Sequence, residues 1–438
     1  MNIKNILEAR QDAIEYTNDQ HNALIKIETF LKGDSLFFML IGNAGTGKTT
    51  IAENIAMYSK ANIMAPTNAA VQRLKDKFMS NYIEEDRFQT IHSAIYGKPD
   101  KSGHFWKSKS LRKKGVYIID ESSMINNQMF LDLIGEAKTN ACKLIFMGDN
   151  FQLEPIGADP KIFEWHNAHD DYFLEANYAK LNEVKRNDGV ILKVATHIRT
   201  VAKAEILNLE DKDFQIVGNF SENIISDIQE DANFVILVST NNRRLDYNKK
   251  IRDFKFEEES SNPVNDTEKV ISIANRDFLN GEQYVMLDPK IIKKFDLNIN
   301  IGTDRYPKYQ TYVAYLVLHD VPGKEQPVET LLVPNYDQAS LHAEQLLTDR
   351  SFSMDNLVTE WHQSGKNRIL LPKINIATYG YSISVHKSQG NEWDNVYIDC
   401  DWLHAKWSHP RWLYTAVTRA RKKVELRRSQ YFKLKTNG

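Results

Sequence analysis

Three features are scarce in this sequence of 438 residues, and each scarcity excludes a class of protein. Only two cysteines occur, Cys142 and Cys400, so a disulfide framework is excluded and a reducing compartment is expected. No apolar run approaches the roughly 18 residues that a membrane-spanning helix needs. Residues 1–15 carry charges throughout and lack the apolar segment of a signal peptide. We therefore expect a cytoplasmic protein with no membrane partner.

A dominant charge of one sign is the third missing feature. The chain has 56 Lys and Arg against 58 Asp and Glu, with a formal net charge of −2. Any surface that binds a polyanion must therefore be local. Because 42% of the residues are hydrophobic and 26% are charged, the composition is that of an ordinary globular protein, with length for two to four domains.

Alternating strand and helix patterns predict an α/β fold. Apolar runs of strand length occur at residues 36–41, 62–65, 116–119 and 143–147, with helical patterns between them. Such alternation predicts a parallel sheet with helices on both faces and ligands at the carboxyl ends of its strands. A second series begins near residue 181, with candidate strands at 234–238, 396–399 and 424–426. Short alternating runs at 283–287, 311–318 and 328–333 predict a small β-rich insertion.

The strongest local pattern is the run Gly-Asn-Ala-Gly-Thr-Gly-Lys-Thr at residues 42–49. It fits G-x-x-x-x-G-K-[ST] and lies between a predicted strand and a predicted helix, the context in which this run binds phosphates. Backbone N–H groups and the helix N-terminus would hold the phosphates of ATP, Lys48 would reach the β- and γ-phosphates, and Thr49 would bind Mg²⁺. The predicted ATP-binding residues of this loop are Gly42, Ala44, Gly45, Thr46, Gly47, Lys48, Thr49 and Thr50.

Two further strand ends carry polar residues suited to ATP hydrolysis. The apolar run 116–119 ends in Asp120 and Glu121, which predicts a metal ligand followed by a general base. The run 148–155 follows another apolar strand, and its Gln152 could hydrogen-bond a γ-phosphate. An ordinary turn explains the run 148–155 equally well, because Gly-Asp-Asn is turn chemistry.

Phosphoryl transfer also needs positive charge near the γ-phosphate. Arg186 and Arg419 are two candidates far downstream of the glycine loop. An isolated arginine is usually a solvated surface residue, so spacing alone does not select these two.

Taken in order, these runs resemble the motifs of superfamily 1 helicases, specifically the RecD/Dda-like branch, superfamily 1B. The runs similar to motifs Q, Ia, Ib, II, III, IV, V and VI are residues 17–20, 65–70, 90–93, 120–124, 148–155, 183–186, 384–392 and 414–420. They span almost the whole chain. Its size and its Glu-Val-Lys-Arg and His-Lys-Ser-Gln-Gly runs are similar to those of the Dda helicases of T-even bacteriophages, which implies a phage-encoded relative.

The resemblance implies a fold of two RecA-like parallel-sheet P-loop NTPase domains, an α/β class. The first domain, 1A, would cover residues 1–175, with a β-hairpin pin, 1B, inserted at 95–114. The second, 2A, would combine residues 176–250 and 373–438. A β-rich, SH3-like insertion, 2B, would occupy residues 251–372.

The resemblance also implies roles for individual residues. Gln20 would read the adenine edge, and Gly390 and Glu392 would approach the phosphates and ribose from the second domain. One departure is Asn43, where this branch often has proline or a small residue, but the N–H donors of the loop are unaffected. The implied catalytic residues are Lys48, Asp120, Glu121, Gln152, Arg186 and Arg419, with Thr49 and Asp120 at the metal.

The implied DNA-binding residues lie in short polar loops that would otherwise be interpreted as simple turns. They are Pro66, Thr67, Asn68, Thr90, His92, Thr240, Asn241, His386 and Lys387. Residues 101–114 hold six Lys or Arg and no acid. In this stretch Phe105 or Trp106 could be a wedge against the last base pair, with lysines on the phosphates. The alternative is a solvated basic loop whose aromatic side chains pack locally.

The function implied is an ATP-dependent DNA helicase that moves 5′→3′ on single strands and unwinds duplex in phage DNA replication or recombination. One alternative is a translocase that displaces proteins from DNA without efficient unwinding. A second is a P-loop switch or ATP-binding scaffold, which would not need Arg419 or motif V. The expected partners are single-stranded and forked DNA and a phage single-strand-binding protein, and the expected state is a monomer.

Overall fold

The computed structural model describes most of the chain as two compact units. The first unit contains Met1–Gly97, Lys107–Leu207 and Trp407–Thr418, and the second contains Lys98–Trp106, Asn208–Lys406 and Arg419–Gly438. The described residues are 16–78, 83–96, 107, 109–154, 177–183, 189–201, 205–209, 211–220, 222–273, 278, 281–300, 308–336, 338, 375–400, 409–429 and 432–436. Among these residues, no helix combines the length and apolarity needed to cross a membrane.

The first unit is built on a six-stranded sheet in the order β3-β2-β4-β5-β1-β6. Every pairing in it is parallel. The four strands predicted for this region are confirmed, whereas β3 and β6 were missed, because short strands at a sheet edge carry little apolar sequence. The strands are β1 Phe37–Gly42, β2 Asn62–Ala65, β3 Phe88–Thr90, β4 Val116–Ile119, β5 Lys143–Gly148 and β6 Tyr178–Leu181.

Helices cover both faces of this sheet. In β1, Phe38 and Leu40 belong to one buried cluster with the first three helices, and Phe37, Met39 and Ile41 to another with the next two. Successive side chains of a strand point to opposite faces, so a strand buried on both faces is apolar throughout. The helices are α1 Asn18–Lys32, α2 Lys48–Ser59, α3 Asn68–Phe78, α4 Ile91–Ile95, α5 Asn127–Asn140 and α6 Val190–Thr200.

The second unit contains a parallel sheet of five strands in the order β15-β9-β16-β17-β8. Its strands are β8 Phe214–Val217, β9 Phe234–Val238, β15 Ser382–Ser384, β16 Trp393–Asp399 and β17 Ala420–Arg427. Helices α7 Glu222–Gln229 and α8 Asn241–Phe256 belong to the same unit. Strand β18, Lys433–Thr436, also lies in the second unit, whereas residues 205–207 of strand β7, Glu205–Asn208, belong to the first.

The second unit also contains a closed five-stranded barrel. Its strands are β10 Glu268–Ser272, β11 Gln283–Asn300, β12 Tyr309–Asp320, β13 Val328–Leu332 and β14 Asn375–Tyr379. The pairings are antiparallel except for β13 with β14. Closure leaves no free sheet edge, and Met286, Val317 and Leu332 fill the interior. Two parallel sheets and a small barrel confirm the predicted fold class, and β14 lies beyond the predicted end of the insertion at residue 372.

One helix groups differently from its position in the predicted scheme. Residues 373–438 were predicted to belong together to the second RecA-like domain, and α9, His409–Val417, lies in the first unit. The predicted domain boundaries stay predictions. At the predicted pin, Tyr96 and Lys107 form an antiparallel bridge. Phe105 and Trp106 lie outside the described residues.

Candidate active site

The glycine loop has the conformation that its sequence requires. It follows β1 and leads into α2, and Gly45 and Gly47 have positive φ angles of 79° and 82°. The ammonium of Lys48 donates to the carbonyl oxygens of Gly42, at 2.7 Å, and Asn43, at 2.9 Å. Lys48 therefore lies over its own loop, where the phosphates of a nucleotide would replace two weak acceptors by stronger ones.

Gln20 is built into the support of this loop. It closes a capping box at the start of α1, where its N–H donates to Thr17 Oγ1 at 3.2 Å and its Oε1 accepts from the Thr17 N–H at 3.1 Å. Its Nε2 donates to the carbonyl oxygen of Thr46 at 2.9 Å. A Cβ at Gly47 would lie 2.2 Å from Gln20 Nε2, so a side chain there would displace the Gln20 amide, and the positive φ of 82° favours glycine in any case. The structure thus places Gln20 against the loop, and its role at adenine stays a prediction.

Asp120 is a buried carboxylate at the end of β4. Burial raises its pKa, the neighbouring charge of Glu121 raises it further, and the charges of Arg73 and Lys48 oppose the rise. The structure therefore brings Lys48 and Asp120 close enough to interact. A buried carboxyl with a raised pKa gains most from a cation, because a cation favours its ionised form. Asp120 and the hydroxyl of Thr49 are oxygen donors of the type that Mg²⁺ prefers, so the residues fit that ion.

Glu121 has a left-handed backbone conformation, with φ at 51°. Its carboxylate forms an ion pair with Arg73 of α3, with 2.6 Å between Nη2 and Oε1. A non-glycine residue in this region costs about 1–3 kcal/mol, and such strain is common at functional sites. Sequence reasoning missed Arg73, because nothing in the local run of α3 distinguishes it from a surface arginine.

Three buried polar atoms lie at the ends of neighbouring strands without a hydrogen-bond partner in the described structure. They are Asn43 Oδ1 after β1, Ser123 Oγ after β4 and Gln152 Oε1 after β5. An unpaired buried polar atom costs about 1–3 kcal/mol, so these atoms favour a polar ligand at this edge of the sheet. Gln152 is only 5% exposed and was predicted to contact the γ-phosphate.

The loop that carries Gln152 is held by residues that sequence reasoning did not select. Asp149 forms an ion pair with Arg199 of α6 and accepts a hydrogen bond from the hydroxyl of Tyr414 in α9. Tyr414 lies in the run assigned to motif VI, but no signal singled it out, and none singled out Arg199. Both contacts join segments far apart in the chain.

The other predicted nucleotide contacts lie in the second unit. Arg419 is 3% exposed and donates to the carbonyl oxygen of Asn391 at 3.2 Å. Gly390 has a positive φ of 84°. Glu392 contacts Arg421 at 3.4 Å. In the sequence, Gly390, Glu392 and Arg419 lie between the end of β15 and the start of β17. Arg186 lies outside the described residues.

The predicted DNA contacts fall mainly where a strand leads into a helix. Thr67, Thr90 and Thr240 each accept an N–H from the first turn of α3, α4 and α8. Helix N-termini bind phosphates readily, because the N–H groups of the first turn have no acceptor within the helix itself. Burial lowers the pKa of His92 and of His386, so the neutral imidazole is favoured at both positions.

The remaining predicted DNA contacts are distributed over the same loops. Pro66 and Asn68 flank Thr67 at the start of α3, and Asn241 is the first residue of α8. Lys387 donates its backbone N–H to Ser384 Oγ at 3.4 Å. Their contacts with DNA stay predictions, as do those of Phe105 and Trp106.

Comparison with known families agrees with this arrangement. A family described as an AAA domain matches residues 15–217, and one described as a UvrD-like helicase C-terminal domain matches residues 379–426. The first matched region contains the sheet edge with the glycine loop, and the second matches a helicase C-terminal domain. The chain is an enzyme, and both matched regions support ATP-dependent DNA helicase activity.

Individual relatives are distant but cover most of the chain. An uncharacterized protein of Acanthamoeba polyphaga mimivirus is 23% identical over 93% of this chain and 98% of its own length. The RecBCD enzyme subunit RecD of Buchnera aphidicola is 23% identical over 96% of this chain and 75% of its own. A crystal structure of the Pif1 helicase from Bacteroides with ADP-AlF3 and single-stranded DNA has a TM-score of 0.48 and 15% identity, covering 94% and 92% of the two chains.

Proposed function

We propose that this chain is a superfamily 1B helicase that translocates 5′→3′ on single-stranded DNA and unwinds duplex ahead of it. The observation that carries the proposal is the position of Lys48, Asp120 and Gln152, which follow the carboxyl ends of β1, β4 and β5, three neighbouring strands of one parallel sheet. Lys48 and the loop N–H groups would bind the phosphates, and Glu121 would accept a proton from the attacking water. Asp120 and Thr49 would hold Mg²⁺, which supplies charge neutralisation at the phosphates.

The direction of movement and the biological setting come from the motif resemblance. RecD relatives that match nearly the whole chain support the 1B branch. The similarity to the Dda helicases of T-even bacteriophages supports a phage protein acting in the host cytoplasm, in DNA replication or recombination. Its partners would be single-stranded and forked DNA and a phage single-strand-binding protein, and we propose that it acts as a monomer.

Strand separation on two partial duplexes tests the proposal. One substrate carries a 5′ single-stranded tail and the other a 3′ tail, both with a fluorescent reporter of separation. We expect ATP-dependent opening of the 5′-tailed substrate alone, with Lys48→Ala as the inactive control.

Each other outcome has a definite meaning. Opening of the 3′-tailed substrate alone would contradict the 1B branch while keeping the motor. DNA-stimulated ATP hydrolysis with neither duplex opened would favour a translocase that displaces proteins from DNA, and the pin at Phe105 and Trp106 would then be the first part of the proposal to be abandoned.

A further inference from the structure

A buried cluster of polar side chains lies behind the loop that carries Gln152. We call it the Tyr414 cluster, and it consists of Tyr414, Asp149 and Arg199. Tyr414 is 1% exposed and Asp149 is fully buried. The tyrosine hydroxyl donates to one oxygen of Asp149, and Arg199 Nη1 lies 2.5 Å from the other. The carboxylate is therefore held between a neutral donor and a cation.

The same hydroxyl also contacts the glycine loop. The backbone N–H of Ala44 donates to Tyr414 Oη at 3.1 Å. A phosphate bound in such a loop is held by its backbone N–H groups. Tyr414 Oη and a phosphate oxygen are therefore alternative acceptors for the Ala44 N–H.

On its other side, the cluster determines the turn around Gln152. Asp149 accepts the N–H of Phe151 at 3.0 Å through its side chain and that of Gln152 at 3.3 Å through its carbonyl. The N–H of Leu153 donates at 3.0 Å to Thr415, the residue after Tyr414. The backbone on both sides of Gln152 is thus tied to Asp149 or to α9, while Gln152 Oε1 has no partner within the described residues.

Arg199 is held in place by several contacts and fixes the position of Asp149. Its Nη2 donates to Asn150 Oδ1 at 3.1 Å, so the guanidinium bridges two adjacent residues of the turn. The same group lies 5.1 Å from the ring centroids of both Phe151 and Tyr414. Two aromatic faces and two acceptors restrict the guanidinium more than an ion pair alone would.

The protonation state of Tyr414 agrees with its role as the donor to Asp149. Burial raises the pKa of Tyr414, and the adjacent charge of Asp149 raises it further. The hydroxyl therefore keeps its proton at neutral pH and remains the donor to Asp149. Its lone pairs remain available to the Ala44 N–H.

We propose that Tyr414 is a positioning residue that transmits occupation of the glycine loop to Gln152. When a phosphate takes the Ala44 N–H, the hydroxyl loses that donor and keeps its hydrogen bond to Asp149, whose position determines the turn that presents Gln152. Arg199 holds Asp149 during this exchange. The inference rests on ATP hydrolysis by this chain and adds a coupling between the phosphate loop and Gln152.

The test replaces Tyr414 by phenylalanine in the full chain, which keeps the ring and removes the hydroxyl. Binding of a non-hydrolysable ATP analogue should tighten about fivefold, because the Ala44 N–H no longer gives up a hydrogen bond when the phosphate arrives. The maximal rate of DNA-stimulated ATP hydrolysis should fall at least about tenfold, because Gln152 is no longer positioned. Opposite changes in affinity and turnover are the signature, since a merely structural role would lower both.

The matched control is Tyr247→Phe. Tyr247 donates to Asp399 at 2.7 Å in the second unit, and burial raises its pKa as it does for Tyr414. We expect unchanged affinity and turnover per folded molecule in this control. A second test variant, Arg199→Lys, keeps the charge but loses the two-point hold on the turn, so turnover should fall with KM unchanged, even if Tyr414→Phe does not fold.

Other results would overturn the inference. If Tyr414→Phe and Arg199→Lys both behave as Tyr247→Phe does while the parent chain hydrolyses ATP, the coupling is wrong and the proposed function stands. A parallel loss of affinity and turnover in Tyr414→Phe would make the residue structural. A parent chain without ATP hydrolysis would overturn the proposed function together with this inference.

Discussion

Two buried arginine–carboxylate pairs, one in each unit, are surrounded very differently. In the second unit, Arg252 donates through Nε to both oxygens of Glu268, at 3.0 and 3.1 Å. Its two other nitrogens donate to the carbonyl oxygens of Ser260, at 3.2 Å, and Asn262, at 2.6 Å. In the first unit, the Arg199–Asp149 pair lies beside Gln152, whose buried Oε1 has no partner among the residues described.

This difference in hydrogen bonding distinguishes a structural pair, Arg252–Glu268, from a pair beside the candidate active site, Arg199–Asp149. Every group of the Arg252 pair is satisfied by the protein, so the pair joins α8 to β10 and needs nothing further. Buried polar groups are normally all paired, and an exception in a native protein calls for a ligand, a water or strain. Atoms without partners at the ends of β1, β4 and β5 therefore favour a polar ligand at this edge of the first sheet, whereas the Arg252 pair leaves no such opening.

Two lysines of the first unit repeat the contrast. Lys48 donates to two carbonyl oxygens of the glycine loop. Lys143, at the opposite end of the sheet, donates to the carbonyl oxygens of Phe30, Gly33 and Ser35 at 2.7–2.9 Å. Both ammonium groups are held by the backbone, but only Lys48 lies among N–H groups arranged for phosphate.

The largest expected effect comes from replacing Lys48 by alanine, with Lys143→Ala as the control. Lys48→Ala should reduce ATP hydrolysis by at least about 10³-fold, because a cation at the transferred phosphoryl group is lost. Lys143→Ala should lower the melting temperature and leave turnover per folded molecule unchanged. Steady-state ATPase assays with thermal melts distinguish the two, and equal turnover in both variants would contradict the assignment of the loop.

Glu121→Gln should have the next largest effect. Turnover should fall about 10²–10⁴-fold while ATP binding is kept, because the amide cannot accept the proton of the attacking water. The matched control is Glu136→Gln, since Glu136 is also buried and pairs with Lys107 at 2.7 Å, away from the glycine loop. Retained turnover in Glu121→Gln would mean that another group acts as the base.

Breaking the Arg252–Glu268 pair should lower stability and leave catalysis unchanged. Arg252→Met leaves the buried Glu268 without its cation and should cost about 3–5 kcal/mol of unfolding free energy. Lys250→Met, on the same helix, removes an exposed pair with Asp246 and should cost about 0.5 kcal/mol or less. Denaturant titration measures both. A loss of ATPase activity per folded molecule in Arg252→Met would contradict the purely structural role of the Arg252–Glu268 pair.

The smallest effect concerns His319 of the barrel. Burial lowers its pKa below the usual 6.5, and its Nε2 lies 2.8 Å from Thr330 Oγ1. As pH falls below 6.5, the unfolded chain takes up a proton that the folded barrel resists, so stability decreases. Melting temperatures between pH 7 and pH 5 should fall less steeply for His319→Gln than for the parent chain. Identical slopes would show that His319 titrates normally.

Much of the fold follows from local pattern. The strands at Asn62–Ala65, Val116–Ile119 and Phe234–Val238 have the predicted limits, because each is apolar and buried over most of its length. Strand β11 runs to Asn300, well beyond the predicted 283–287, since pairing with β12 supports residues that look polar in isolation. The last barrel strand, Asn375–Tyr379, was missed, because barrel closure depends on a partner distant in sequence.

The amino-acid sequence alone predicts the glycine loop and the Asp120–Glu121 pair as parts of a nucleotide site. Such motifs are contiguous, and their glycines, lysine and carboxylates act through the local backbone. Which remote side chains contact them follows from the tertiary structure. Arg73 reaches Glu121 across 48 positions, Arg199 reaches Asp149 across 50, and Tyr414 reaches Ala44 across 370. Such contacts depend on strand order and helix packing, which place distant residues side by side and leave no trace in the local pattern.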